Sequence, residues 1–368
     1  MGIFKYADQE VGQKEMIMTV ASMLIGVGVL TLPRLVASST KSSDGWMSIL
    51  LAGAITVGLG IVVSKLVNRY HQKTFFEYAC LIVTKPVACV LIFLQGIYFF
   101  LFCAYEMRAI ASISKQYLFV RTPIEFVAIT FLLVVIYAVS GSRVGLIRLN
   151  VLFLPLVLSI ALLMMALSIG IFDLNNLKPF FISSPIEILK GAEQAMYSML
   201  GFEIVLFYGS LMRRPKETAK AMVYGIAIPV IFYLIIFIFG IGIFSHAGAM
   251  NIMYPAIEIA KEIKIPGEFF ERFESLFFVI WMMTIFNTTS MAMDVSLICY
   301  TSLFKKMSKR TCILILSPIV YLLGMLPKDQ AEFAMLGDLI SYLGILFAGV
   351  LPLTLLILAK LRGVTGRG

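Results

Sequence analysis

Long apolar runs, interrupted by short polar stretches, repeat along the whole chain. A helix needs about 20 mostly apolar residues to cross the hydrocarbon core of a bilayer, and most of these runs approach or exceed that length with few charges. The pattern predicts an all-α integral membrane protein with ten transmembrane segments. Their predicted bounds are 13–37, 46–67, 87–114, 124–140, 147–172, 191–211, 219–244, 270–304, 311–326 and 333–358.

The first and sixth segments share a short sequence. Ser22–Gly26 reads S-M-L-I-G, and Ser198–Gly201 reads S-M-L-G. Five segments separate the two copies, so the second enters the membrane from the opposite side. This arrangement predicts one transmembrane domain, 1–368, built as a 5+5 inverted repeat with repeats at about 13–172 and 191–358 and with broken helices one and six. An echo this short also occurs by chance in sequence rich in Leu and Met.

Composition and charge agree with a membrane protein. Hydrophobic residues make up 60% of the chain, charged residues 14%, and the net charge is +9; mean hydropathy is +0.96. Most of the 30 Lys and Arg residues fall in loops on the side of the N-terminus. Because cytoplasmic loops collect Lys and Arg, this bias predicts that both termini are cytoplasmic, and it explains the positive charge without nucleic acid as a partner.

Residues for enzyme or cofactor chemistry are scarce. The five cysteines are scattered without a C-x-x-C pair, and the only histidines, His71 and His246, fall in predicted loops. Neither a phosphate-binding Gly-rich loop nor a G-x-S-x-G motif is present. We therefore expect no catalytic residues, no metal and no cofactor.

The first segment contains the most informative stretch, Ile25–Pro33, in which Gly26, Gly28 and Pro33 interrupt an apolar run. Unpaired backbone groups are costly in lipid unless they meet protein, water or a ligand. The amides after Gly26 and Gly28 would be free, and the following half-helix would present its positive end, so a carboxylate could bind there. The alternative is a kink that serves tight helix packing. We interpret Arg34 as an interfacial anchor.

Segments three and six supply further candidates. Leu200, Gly201 and Phe202 lead to Glu203, an ionisable residue deep in a span, which could bind an amine, carry a proton or pair with a buried donor. In segment three, Tyr98 and Phe102 share a helix face and could form an aromatic wall, although such stripes are often simple core. Glu106 and Arg108 are two residues apart and cannot pair on one face; we expect them in a structural network near the outer mouth.

Segment eight places polar residues near its middle. Asn287 and Thr288 begin a run of four polar residues, and Asp294 follows about a turn further in. These side chains could hydrogen-bond a ligand, coordinate a small cation or bond neighbouring helices. Segment five has no Lys in its middle that could replace a coupling ion.

At these residues the chain resembles the B subunits of nutrient germinant receptors, the spore germination proteins of GerAB type. The matching motifs are G-V-G-V-L-T-L-P-R at Gly26–Arg34, D-G-W at Asp44–Trp46, Y-E-M-R-A at Tyr105–Ala109, L-G-F-E at Leu200–Glu203, E-R-F-E-S at Glu271–Ser275 and P-K-D at Pro327–Asp329. One departure is Tyr254-Pro255, where members of the family often have W-P.

This resemblance implies the LeuT/APC-like fold of the amino acid–polyamine–organocation superfamily and a ligand at the break of helices one and six. The pocket positions carried over by motif are Gly26, Tyr98, Phe102, Leu200, Phe202 and Asn287. The resemblance also implies residence in the spore inner membrane, assembly with an A subunit and a C subunit, and sensing of a nutrient such as an amino acid.

We hypothesise that an L-amino acid places its carboxylate on the helix-one break and its amine on carbonyls of the helix-six break, with Glu203 behind them. A proton- or sodium-coupled amino acid transporter is the alternative function. An ion-conducting member of a receptor complex is a third.

Overall fold

The computed structural model describes residues 10–263 and 273–364, which are helical almost throughout. The start of the Glu271–Ser275 motif lies outside the described residues. The helices are α1 Gln13–Leu24, α2 Gly28–Ser39, α3 Gly45–Arg69, α4 Phe75–Ile82, α5 Lys85–Tyr117, α6 Ile124–Ser140, α7 Arg143–Leu167, α8 Pro185–Tyr197, α9 Val205–Tyr208, α10 Thr218–Asn251, α11 Pro255–Glu262, α12 Phe273–Leu303, α13 Lys309–Met325, α14 Gln330–Gly344 and α15 Leu351–Leu361.

The first predicted segment is a broken helix, as the glycines indicate. Helices α1 and α2 meet at Ile25–Val27 with a bend of 55°. Ile25 leaves the helical region with φ −94° and ψ 76°, while Pro33 lies inside α2 without ending it. The break therefore follows from Gly26 and its neighbours and not from the proline.

The sixth predicted segment is broken as well. Helix α8 ends at Tyr197, Gly201 has a φ of +112°, and the chain continues through a short 3₁₀ turn, Phe202–Ile204, into α9. An L-residue with a side chain rarely adopts this φ, so glycine is the residue that permits the turn. A Cβ at Gly201 would also lie 2.7 Å from Cγ of Met23, which places the two breaks side by side.

The two broken helices lie inside a bundle of longer ones. Helix α1 packs on α10 and α7, α2 packs on α8 and α10, and α5 runs along α12. Large apolar side chains remain exposed on the outer faces of the bundle, as expected for contact with lipid. Examples with more than half of the side chain exposed are Val90, Phe126, Leu133, Leu152, Leu314 and Leu322.

Ion pairs and loop contacts define two ends of the bundle. We call the end that holds the Arg213–Glu10 pair the N-terminal side. The opposite end, where Asp44 binds backbone amides of 181–183, is the distal side. His246 lies on the distal side within α10 rather than in a loop, beyond a kink at Ser245, and contacts the carbonyls of Ala37 and Thr40.

Among the described residues, six helices are long and apolar enough to cross a membrane, and the bent pair α1–α2 makes a seventh. Two other apolar helices, Ile124–Ser140 and Phe202–Leu211, are shorter. The chain is therefore a multi-pass membrane protein. The count of ten spans, which adds these two segments and α13, stays a prediction.

Candidate functional site

A cavity of about 230 Å³ opens between the two broken helices. It extends from the break of the first segment towards the distal side, between α2, α5, α8 and α14. Its lining combines the backbone of the break with aromatic and polar side chains. The lining residues used below are Leu24, Gly26, Val27, Gly28, Arg34, Phe102, Glu106, Ser198, Leu200, Gln330, Ala334, Gly337, Asp338 and Ser341.

Glu106 lies against the break of the first segment. Its Oε2 atom accepts a hydrogen bond from the Thr288 hydroxyl over 3.2 Å, and the backbone N–H of Val27 also donates to its carboxylate. A Cβ at Gly26 would lie 3.2 Å from its Oε1 atom. The structure thus places Glu106 at the break, which corrects the expectation that it belongs to a network at the outer mouth. The amide expected to meet a ligand carboxylate meets a carboxylate of the chain itself.

Glu203 completes the break of the sixth segment. It is fully buried. Its carboxylate accepts a hydrogen bond from the Tyr98 hydroxyl over 2.9 Å and another from the Gly201 N–H over 2.9 Å. Both of its oxygens therefore have donors. In this structure Glu203 holds the turn closed and ties it to α5, and it does not line the cavity.

Tyr233 of α10 connects the two breaks. Its hydroxyl is hydrogen-bonded to the carbonyl of Leu24 in the first and lies 3.1 Å from the carbonyl of Ser198 in the sixth. The indole N–H of Trp281 donates to the Gly26 carbonyl over 3.4 Å. The carbonyls released by the interrupted helices are thus met by protein donors, as buried backbone groups require.

The predicted ligand-binding residues divide into two groups. Gly26, Val27, Gly28, Phe102 and Leu200 line the cavity. The others lie behind the wall, where they support it. In this second group, Gly201 and Phe202 belong to the turn of the sixth segment. The other three are hydrogen-bonded: Tyr98 to Glu203, Asn287 to Ser22, and Thr288 to Glu106.

The remaining predicted charges lie away from the cavity. Arg108 donates to the Pro327 carbonyl over 2.9 Å. Asp294 is fully buried towards the N-terminal side. Its carboxylate accepts a hydrogen bond from Arg143 over 2.8 Å and another from the Tyr208 hydroxyl over 3.1 Å, and it lies 3.7 Å from the Lys309 ammonium group. These contacts join α7, α9, α12 and α13 at the N-terminal side.

Several lining residues were missed by the sequence analysis. Arg34, interpreted as an interfacial anchor, lies in the cavity wall, and one face of α14 forms a further part of that wall. On α14 the residues Gln330, Ala334, Gly337, Asp338 and Ser341 recur at helical spacing, and this small and polar stripe in an apolar helix was the available signal. Among the described residues, no group of three His, Cys, Asp or Glu side chains could hold a metal ion.

Solved structures of similar fold are transporters. Mhp1, a nucleobase-cation-symport-1 family transporter solved with bromovinylhydantoin bound, matches with a TM-score of 0.69 and 15% identity, over 95% of this chain and 78% of that one. MhsT, solved in complex with L-phenylalanine, matches with a TM-score of 0.63 and 16% identity, over 93% and 89%. At such low identity this likeness shows the fold alone: the chain is a membrane protein with a transporter fold.

Sequence relatives identify the family. The model of the family described as spore germination protein matches residues 10–333. The spore germination protein GerLB of Bacillus cereus is 36% identical over 99% of this chain and 98% of its own length. YndE, a spore germination protein of Bacillus subtilis (strain 168), is 32% identical over 93% and 94%. The chain belongs to the spore germination protein family.

Proposed function

We propose that this chain is the nutrient-sensing subunit of a spore germinant receptor and that it binds an L-amino acid in the cavity between the two breaks. The observation that supports this most strongly is the position of the cavity. It lies where Leu24 and Ser198, one from each break, share the hydroxyl of Tyr233. A ligand there touches both interrupted helices and can favour one arrangement of the bundle over another.

The size and lining of the cavity fit a small or medium neutral amino acid. A volume of about 230 Å³ accommodates such a molecule, and Phe102 and Leu200 offer apolar contacts for its side chain. In the spore, the chain would lie in the inner membrane as ten spans in a 5+5 inverted repeat, with both termini cytoplasmic. Its A and C subunit partners would read the change of conformation.

The proposal is tested with spores in which this chain is the only B subunit. We expect germination with some members of a panel of single L-amino acids, and no response from spores carrying Gly26→Leu, because the side chain would collide with Glu106 and Thr288. Gly58→Leu is the matched control, since a Cβ at Gly58 has no neighbour within 4 Å. Full nutrient response in the Gly26→Leu spores, with the protein present at normal level, would contradict the proposal.

The fold also favours a second candidate, a coupled amino acid transporter, because the solved neighbours are transporters. Uptake of radiolabelled amino acid into liposomes holding the purified chain separates the two functions. Accumulation against a gradient, driven by protons or sodium, supports the transporter; binding without accumulation supports the sensor.

A further inference from the structure

The buried carboxylates of the described residues have very different surroundings. Four acidic side chains are buried: Asp44, Glu106, Glu203 and Asp294. Asp44 accepts three backbone amides, and Asp294 is paired with Arg143 and Lys309. Glu203 is enclosed by Tyr98 and Gly201 away from the cavity. Glu106 alone among the four lines the cavity, and no described cation pairs with it.

An ionised Glu106 in this position would be incompletely compensated. Two neutral donors, the Thr288 hydroxyl and the Val27 amide, reach it, and it is 3% exposed. Burying a charge without a counter-charge is costly. Because Glu106 lines the cavity, a ligand can supply the missing positive charge there.

The opposite charge lies further towards the distal side. Arg34 is the one cation among the lining residues, and no described residue accepts a hydrogen bond from its guanidinium. Arg34 is seven residues beyond Val27, about 10 Å along a helix at 1.5 Å per residue. Long side chains on a helix lean back towards its N-terminus, here towards the break. Asp338, on the α14 wall, is the remaining charged lining residue.

We infer that the cavity reads a zwitterion with a fixed polarity: the ammonium group of the ligand pairs with Glu106 at the break, and its carboxylate is turned towards Arg34. This inference rests on the proposed function and reverses the orientation that the free amides of the break predict. With Glu106 at the break and Arg34 further towards the distal side, one orientation of a zwitterion is favoured over the other, because the Coulomb energy between close charges is large away from bulk water. Charge-assisted hydrogen bonds add direction to this preference.

The inference also gives Gly26 a different role. A side chain at residue 26 would press on the Glu106 carboxylate before it reached the cavity, since Oε1 is the nearest atom at 3.2 Å. Gly26 is then the residue that lets Glu106 approach the break.

Ligand analogues test the polarity with the full chain in lipid nanodiscs. L-alanine, L-valine, L-leucine and L-phenylalanine are screened for binding by calorimetry, and the strongest binder is compared with its 2-hydroxy acid and its carboxamide. The hydroxy acid lacks the ammonium group, and the carboxamide lacks the carboxylate. In the wild type we expect each change to weaken binding about tenfold or more, as for a lost hydrogen bond to a charged group.

Two variants assign each loss to its residue. Glu106→Gln keeps the shape of the side chain, and it should abolish the preference for the amino acid over the hydroxy acid while keeping the preference over the carboxamide. Arg34→Gln should abolish the preference for the amino acid over the carboxamide while keeping the preference over the hydroxy acid. Glu262→Gln and Arg121→Gln, at exposed residues, are the matched controls and should change neither preference.

The outcomes separate this inference from the proposed function. If no amino acid binds the wild type or germinates spores that depend on it, the proposed function fails. If an amino acid binds but its hydroxy acid binds equally well, or if Glu106→Gln removes the carboxylate preference instead, the polarity is overturned while the sensor remains. Arg34→Gln tests the polarity independently through the carboxamide comparison, so a misfolded Glu106→Gln protein leaves the test decisive.

Discussion

Tyr98 donates its hydroxyl hydrogen to Glu203 over 2.9 Å, and both side chains are fully buried. The bond joins α5 to the turn that interrupts the sixth segment. Because the other Glu203 oxygen holds the Gly201 amide, the pair fixes a backbone conformation that only glycine adopts readily. Tyr98 therefore supports the cavity wall through Glu203 and does not line the cavity itself.

Tyr98→Phe should lower the free energy of unfolding by about 1.5–3 kcal/mol, since it leaves one side of a buried carboxylate without a donor. Chemical denaturation of the purified chain in detergent measures the change. Tyr137→Phe is the control, because Tyr137 is 83% exposed, and it should have almost no effect. Equal stability of the two variants would show that the bond contributes nothing.

Gly28→Ala should separate the two broken helices. A Cβ at Gly28 would lie 2.8 Å from Cβ and 3.1 Å from Cα of Ser198, and the backbone of a turn cannot move away as a flexible side chain can. Overpacking of this kind costs about 1–3 kcal/mol. We expect reduced thermal stability together with a weakened germination response.

Gly58→Ala is the comparison for that experiment. Nothing lies within 4 Å of a Cβ at Gly58, and alanine is the better helix former by about 1 kcal/mol. This variant should be as stable as the wild type or more so. A Gly28→Ala protein that matched it in both measurements would contradict the close approach of the two breaks.

The local conformation of both breaks could be predicted from the sequence, and their partners could not. Gly26 and Gly28 in an apolar run indicate an interrupted helix, and Gly201 before an ionisable residue indicates another. Which side chain meets the freed amide depends on how α5 is placed against α1–α2, and this is a property of the whole bundle.

Some information on the partners was nevertheless present in the sequence. Glu106 follows Tyr98 and Phe102 at intervals of four residues, so it continues the helix face on which those two lie. The spacing of two residues between Glu106 and Arg108 predicts only that these side chains do not pair on one helix face. The α14 wall could not be predicted, because α14 and α2 line the same cavity although they lie about 300 positions apart in the sequence, and helix periodicity carries no information on such an arrangement.

Asp294→Asn should loosen the N-terminal side of the bundle. It removes the negative charge that Arg143 and Lys309 share. Roughly a third of the side chain of each of these two cations is already exposed. Because these partners can reach water, we expect a loss of about 1–3 kcal/mol, smaller than for a fully buried pair.

The readout is the reactivity of Cys299, which is fully buried on the same helix. Its labelling by a water-soluble maleimide, followed by peptide mass spectrometry, should be faster in Asp294→Asn. Glu217→Gln removes an exposed pair with Arg214 and should leave the labelling rate unchanged, as surface pairs contribute little. Unchanged labelling in both variants would show that the Asp294 contacts do not hold this side together.

Asp44 of the D-G-W motif holds the distal connection between α7 and α8. Its carboxylate accepts the backbone amides of Phe181, Ile182 and Ser183 over 2.7, 2.7 and 2.8 Å. Asp44→Asn replaces one acceptor by a donor that these amides cannot use. The segment should then open more often, and chymotrypsin should cut at Phe181, which is 73% exposed, about tenfold faster.

Asp329→Asn is the matched control, because Asp329 caps α14 through the Glu332 amide and asparagine caps a helix equally well. Equal cleavage rates in the two variants would mean that Asp44 does not anchor the segment.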